Sequence, residues 1–136
     1  MSRSGYVLDD GDHEGELELY RRAVLNAMRG KRGQVFFKAL AAAMDEMPEK
    51  ILIKHELISE EGECCTIGVV CKARNIDVSN VDIYDREEVG RLVNIAPALA
   101  AEIEYMNDEW SYNETPEARW IRIRKWVGDL ILEEAA

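Results

Sequence analysis

The sequence predicts a mainly α protein, a single compact helical domain, and three observations predict it. Apolar side chains recur at three- and four-residue spacing in several separate stretches, the mark of helices with one buried face. Residues that start and stop helices stand at the ends of those stretches: Gly30, Pro48, Asp85 and Thr115-Pro116. The composition, 47% apolar and 32% charged over 136 residues, is that of one globular domain able to bury a core.

Residues 1–15 are polar, carry Gly5, Gly11 and Gly15, and read as a flexible leader; residues 16–134 read as the helical domain. From Glu16, the side chains of Leu17, Tyr20, Val24, Leu25 and Met28 share one helical face. Gly30 is expected to stop this helix in the left-handed conformation. A second helix is expected from Gly33 to Met47, with Phe36, Leu40, Ala43, Met44 and Met47 as its inner stripe, and Pro48 ends it. The short connection makes the two an N-terminal helical hairpin whose stripes pack on each other.

Residues 51–75 carry two readings. Ile51-Leu52-Ile53 and Leu57-Ile58 are extended or a short helix, and Glu60-Glu61-Gly62 is a turn. After it, Cys64, Ile67, Gly68 and Cys71 fit a helical face, whereas Cys65, Ile67, Val69 and Cys71 fit a strand face. A buried helix is the preferred reading, because polar alternation is missing; a small β-hairpin within residues 51–72 is the alternative.

Residues 76–84 form a linker, and Asp85 caps a helix that begins near Arg86. The stretch Val89–Ile103 resembles a helix-turn-helix, with Asn94 at the turn, where asparagine tolerates positive φ. A recognition helix offers cations and amides to DNA. Here its outward positions would be Ala98, Ala101, Glu102, Glu104, Tyr105 and Asn107, followed by Asp108 and Glu109. Carboxylates there are repelled by phosphates, so the pair reads as scaffold. The last helix starts at Thr115-Pro116; Trp120, Ile123, Val127 and Leu130 form its inner stripe, with Trp126 and Ile131 beside them. Arg119, Arg122, Arg124 and Lys125 are assigned to its other face, and both tryptophans read as core anchors rather than stacking platforms.

Charge is segregated along this chain. From Arg21 to Lys38 there are six Lys or Arg and no Asp or Glu, so a net −10 leaves −16 for the remainder. Such a surface disfavours non-specific nucleic-acid binding and suits a basic partner. It does not exclude a local basic contact, because distant charges are screened at ordinary salt. The turn Arg29-Gly30-Lys31-Arg32-Gly33 is the candidate anion site, with cations beside an open helix N-terminus. Its competing reading is a solvated connector.

Several chemistries are set aside. No apolar run approaches the ~18–20 residues that cross a bilayer. The N-terminus lacks the apolar region of a secretion signal, so the expected place is the cytoplasm, with Cys64, Cys65 and Cys71 as reduced thiols. There is no C-x-x-C, no P-loop, no G-x-S-x-G and no dinucleotide fingerprint. The densest acidic group, Asn107-Asp108-Glu109, reads as a solvated loop rather than a Mg²⁺ site. No enzyme, metal or cofactor is expected.

The motifs Arg29-Gly30-Lys31-Arg32-Gly33-Gln34, Met47-Pro48-Glu49-Lys50, Gly62-Glu63-x-Cys65, Asn107-Asp108-Glu109 and Thr115-Pro116-Glu117-x-Arg119-Trp120 resemble those of small uncharacterised proteins encoded by bacteriophages and prophages. The resemblance spans residues ~20–131 and implies a phage accessory product that binds a host protein and blocks or redirects it. The expected function is therefore non-enzymatic binding of a host protein through an acidic surface, as an inhibitor of a host or defence enzyme. The alternative is a nucleic-acid-binding accessory protein using the turn at residues 29–33 and the C-terminal arginines. Candidate contact residues are Arg29, Lys31, Arg32, Glu102, Asp108, Glu109, Arg119 and Arg122. A second copy of the chain is a further candidate partner; a membrane is not.

Overall fold

The computed structural model describes residues 14–110 and 113–132. Six helices are found among them: α1 (Glu14–Arg29), α2 (Lys31–Glu46), α3 (Thr66–Ala73), α4 (Arg86–Val93), α5 (Pro97–Asp108) and α6 (Pro116–Leu130). The expected leader lies largely outside the described residues; its last two positions, Glu14 and Gly15, already belong to α1.

One helix is central. α2 packs against α1, α3 and α6, while α1 and α4 both lie on α5. Its buried arc is wider than the stripe read from the sequence, because it faces neighbours on several sides. Phe36, Leu40 and Met44 are buried, and so are Phe37 and Ala41. They meet Val70 of α3, Leu99 and Ile103 of α5, and Ile123 and Val127 of α6 in one core. Trp126 sits half-buried with its ring edge-on to Phe37, centroids 6.0 Å apart, and Trp120 packs against the same core. Both tryptophans are core anchors.

The α1–α2 connection corrects one expectation. Gly30 is not left-handed: its φ is −69° and its ψ 168°. A single residue serves both helices, its N–H closing α1 on the Asn26 carbonyl (2.9 Å) and its carbonyl opening α2 by accepting from Gln34 N (3.0 Å). The chain changes direction without a loop, so no left-handed residue is required. Glycine is needed instead at Gly33, where a Cβ would stand 1.9 Å from the Ala27 carbonyl oxygen.

The buried-helix reading of residues 51–72 holds from Thr66 onward, and of the β-hairpin alternative only a hairpin turn closed by a single bridge is present, with no strand among the described residues. Cys64 pairs with Ile58 in an isolated antiparallel bridge, supported by Ser59 N to Glu63 O (2.8 Å) and Cys65 N to Leu57 O (3.1 Å). Gly62, at φ +83°, makes the tip. α3 follows at once and is buried from Thr66 to Cys71. Its two faces are equally apolar because it has core on both, which is why periodicity alone could not decide.

Before the hairpin, residues 50–53 run outside helix and sheet as a strap with Leu52 wholly buried. Neither helix nor sheet takes up its polar backbone, so side chains and single main-chain bonds do. Leu52 N donates to the Pro116 carbonyl (3.1 Å) and Ile53 N to the Cys64 carbonyl (2.9 Å). The Leu52 carbonyl accepts from Arg119 Nη1 (2.7 Å) and the Ile53 carbonyl from Asn107 Nδ2 (3.0 Å). Asn107 Oδ1 in turn accepts from Thr66 N (3.1 Å) and Thr66 Oγ1 (2.7 Å) at the start of α3, whose N-cap residue Cys65 makes no side-chain cap bond.

The remaining caps follow the sequence. Asp85 accepts from Glu88 N (3.1 Å) and Thr115 from Ala118 N (3.0 Å). Asn94 ends α4 at φ 59°, as the helix-turn-helix resemblance requires, and the linker before α4 is built from two aspartate turns, Asp77 onto Ser79 N and Asp82 onto Tyr84 N, both 2.9 Å.

Replacing Asn107 with Ala leaves the Thr66 N–H and the Ile53 carbonyl without their partner at once. The expected loss is roughly 2–4 kcal/mol of stability, read as a lower urea midpoint at unchanged slope. A loss of less than about 1 kcal/mol would show that water replaces these bonds freely.

Candidate functional site

The positive residues assigned to contact roles separate into two groups. Arg29, Lys31 and Arg32 are exposed around the α1–α2 turn, beside the open N-terminus of α2, which has no side-chain cap. A cleft of about 220 Å³ lies against this turn, lined by Asn26, Lys31, Arg32 and Ala96 among others. Arg32 Nη1 reaches Asn94 Oδ1 at 3.4 Å, so the basic turn and the α4–α5 turn adjoin.

The C-terminal arginines do not join them. Arg119 is 3% exposed and belongs to the interior, correcting its assignment to the outer face of α6. It must enter, because the Leu52 carbonyl has no other donor at that point; its Nη2 also reaches the Glu114 carbonyl (3.3 Å). Arg122 grips Glu114 with two bonds, Nε to Oε2 at 2.7 Å and Nη2 to Oε1 at 2.9 Å. Arg124 holds Asp45 in the same forked way at 2.8 and 3.0 Å, tying α6 to α2.

The acidic candidates separate too. Glu109 is exposed at the end of α5. Glu102 is 4% exposed, and Ala101 and Asn107 are buried, so the expected outward face of α5 is in large part inward. The reason is packing: α5 carries α1, α3, α4 and α6 around it. Asp108 is not in a solvated loop. Its Oδ1 accepts from Asn107 Nδ2 (2.6 Å) and its Oδ2 lies 3.8 Å from His55 Nδ1, with the side chain 7% exposed.

A second concavity was not foreseen. A groove of about 300 Å³ opens between the C-terminal end of α2, the strap and the hairpin tip. Met47, Ile51, Cys64 and Val69 line its apolar part, and Glu49, Glu61 and Glu63 its exposed part. The lining draws on the Met47-Pro48-Glu49-Lys50 and Gly62-Glu63-x-Cys65 motifs and on Ile51, Glu61, Val69 and Lys72 beside them, which sequence spacing could not bring together. The available signal was the density of glutamate on both sides of the strap. Lys50 steadies this corner, donating Nζ to the carbonyls of Asp45 (2.5 Å) and Met47 (2.6 Å) and lying 5.5 Å over the Trp120 ring.

The electrostatics give little reactive chemistry. Burial pushes all three thiols up, Cys65 to about 12 and Cys71 to about 11, so none is a thiolate near neutral pH. Among the described residues, no group of three or more His, Cys, Asp or Glu could hold a metal ion. No helix among them is long and apolar enough to cross a membrane. No family model, curated protein or solved structure matches the chain.

Two carboxyls respond to acid in opposite senses. The hydrogen bonds from Arg122, then the charges of Arg122, Arg119 and Lys54, hold Glu114 below its ordinary 4.5. Burial, reinforced by Asp108 and Glu109 and opposed by Arg86, pushes Glu104 above it. A depressed carboxyl stabilises the fold above its unfolded value and loses that contribution as pH falls through its folded value. Glu114→Gln is therefore expected to lower the urea midpoint near neutral pH, with the gap from the parent narrowing below about pH 4.5. Glu104→Gln should instead raise stability at neutral pH or leave it level. A Glu114→Gln gap that persists unchanged at about pH 3 would contradict the ion pair as its cause.

Proposed function

We propose that this protein is a non-enzymatic binding module that docks onto a basic surface of a partner protein through its acidic exterior. The observation that carries this is the fate of the C-terminal arginines. Arg119, Arg122 and Arg124 are taken up by Leu52, Glu114 and Asp45, so the arginines of α6 offer a partner little positive charge, and the exposed cations that remain are those of the α1–α2 turn together with single residues elsewhere such as Arg74 and Arg91. The resemblance to phage and prophage proteins gives this reading its setting: an accessory product acting on a host protein, as an inhibitor of a host or defence enzyme. Protonated, buried thiols are consistent with a protein that works by contact rather than by nucleophilic chemistry.

The second reading is phosphate contact by the basic turn, favoured by the exposure of Lys31 and Arg32 beside the open start of α2. It is weakened by the inward arginines, since duplex binding draws on many cations together. The two readings separate on a column. The protein is expected to pass through DNA-cellulose at ~0.15 M salt, while the proteins it retains from a bacterial lysate are basic and elute with salt. Retention on DNA at that salt, abolished by Lys31→Glu with Arg32→Glu, would replace the first reading with the second.

A further inference from the structure

We propose that the groove between α2, the strap and the hairpin tip takes an extended, lysine- or arginine-bearing segment of the partner protein; this rests on the reading of the molecule as an acidic binding module.

The groove is itself amphipathic. At about 300 Å³ it is as small as the smaller ligand sites, room for one or two side chains and not for a folded element. Its apolar part is supplied by Met47 and Ile51 on one wall and by Cys64 and Val69 from the hairpin and α3. Met47 gives an adaptable surface, and the protonated Cys64 behaves there as a small hydrophobe. Three exposed glutamates stand on the lining, Glu49 from one side, Glu61 and Glu63 from the other. The one lining cation is Lys72, whose Nζ is committed to the Gly62 carbonyl at 2.8 Å, so three glutamates against one lysine leave the lining at −2.

Lysine and arginine match this arrangement part by part. Their aliphatic stems cover apolar surface while the charged head stays at a wet, polar edge. An apolar segment would strip water from the glutamates without replacing it, and an acidic one would be repelled. The chain's own basic turn is a poorer occupant when brought by a second copy. Its cations lie within α1 and α2, joined by Gly30 alone, and cannot thread a groove as an extended segment does.

Fluorescence anisotropy with a fluorescein-labelled hexa-arginine peptide tests this at ~0.15 M salt. Three proteins are compared: the parent, the groove variant E49Q/E61Q/E63Q, and a control of equal charge change on exposed sites elsewhere, E87Q/E117Q/D129N. Circular dichroism and thermal midpoints confirm that all three fold alike. The groove variant should raise Kd about tenfold or more, and the control less than about threefold. Equal weakening in both variants would overturn the groove while leaving an acidic binding surface intact. Failure of the parent to bind would overturn the groove and the binding-module reading together. A parent that dimerises by sedimentation, with the dimer lost in both E49Q/E61Q/E63Q and Lys31→Glu/Arg32→Glu, would give the groove to a second copy and overturn the proposal.

Discussion

The backbone at Leu52 and Ile53 passes through a helical domain with neither a helix nor a sheet to satisfy it, and the rest of the fold is arranged around that fact. A buried amide or carbonyl left without a partner costs on the order of a hydrogen bond's full desolvation, about 1–3 kcal/mol each. Four such groups stand in a row here, and each has a partner from a different place: Pro116, Cys64, Arg119 and Asn107. The start of α6, the hairpin and the last turn of α5 are thereby fixed to one strap. Asn107 passes the constraint on to Thr66 and so sets where α3 begins.

Function inherits this arrangement. Arg119 is drawn into the interior by a carbonyl, and its charge is no longer on offer to a partner. Glu114 and Arg122 close over it, with Glu114 Oε1 3.6 Å from Arg119 Nε, too long for a hydrogen bond but close enough to offset the buried charge. The outcome is an exterior poorer in positive charge than the sequence of α6 suggests. The same strap carries Glu49 and Ile51 to one side of the groove and, through Ile53 to Cys64, anchors the hairpin that forms the other.

Much of the helical layout was legible because its signals are local. Thr115 and Asp85 cap as read, Pro116 opens α6, Asn94 turns left-handed, and the centres of the α2 and α6 stripes, Phe36, Leu40, Met44, Ile123 and Val127, are buried while Ala43, Met47, Trp120 and Leu130 are half-buried. What escaped was non-local. Arginine at position 119 has the spacing of a surface residue, and only the orphan carbonyl of Leu52, 67 residues away, explains why it is inside. Glu102 and Asn107 look outward on an isolated helix and are buried because α5 is surrounded. The motifs quoted for the phage resemblance gain a physical content in the same way. Gln34 links the Met28 and Leu130 carbonyls and the Leu132 amide; Lys50 closes α2; Asn107 and Arg119 hold the strap. Three of the five motifs thus contain a side chain that bonds across the fold, Gln34, Asn107 and Arg119, a role that spacing along the chain does not reveal. The groove was illegible for the same reason, since its two walls are separate stretches of glutamate until the hairpin folds back.

The most direct measurement is native-state amide hydrogen exchange at Leu52 and Ile53. If the strap is the point on which the fold depends, both amides exchange only by global unfolding, as slowly as the most protected amides of α2 and α5. Exchange at the rate of the exposed hairpin tip around Glu61, in a protein whose helices remain protected, would show that the strap opens on its own and that the helices do not need it.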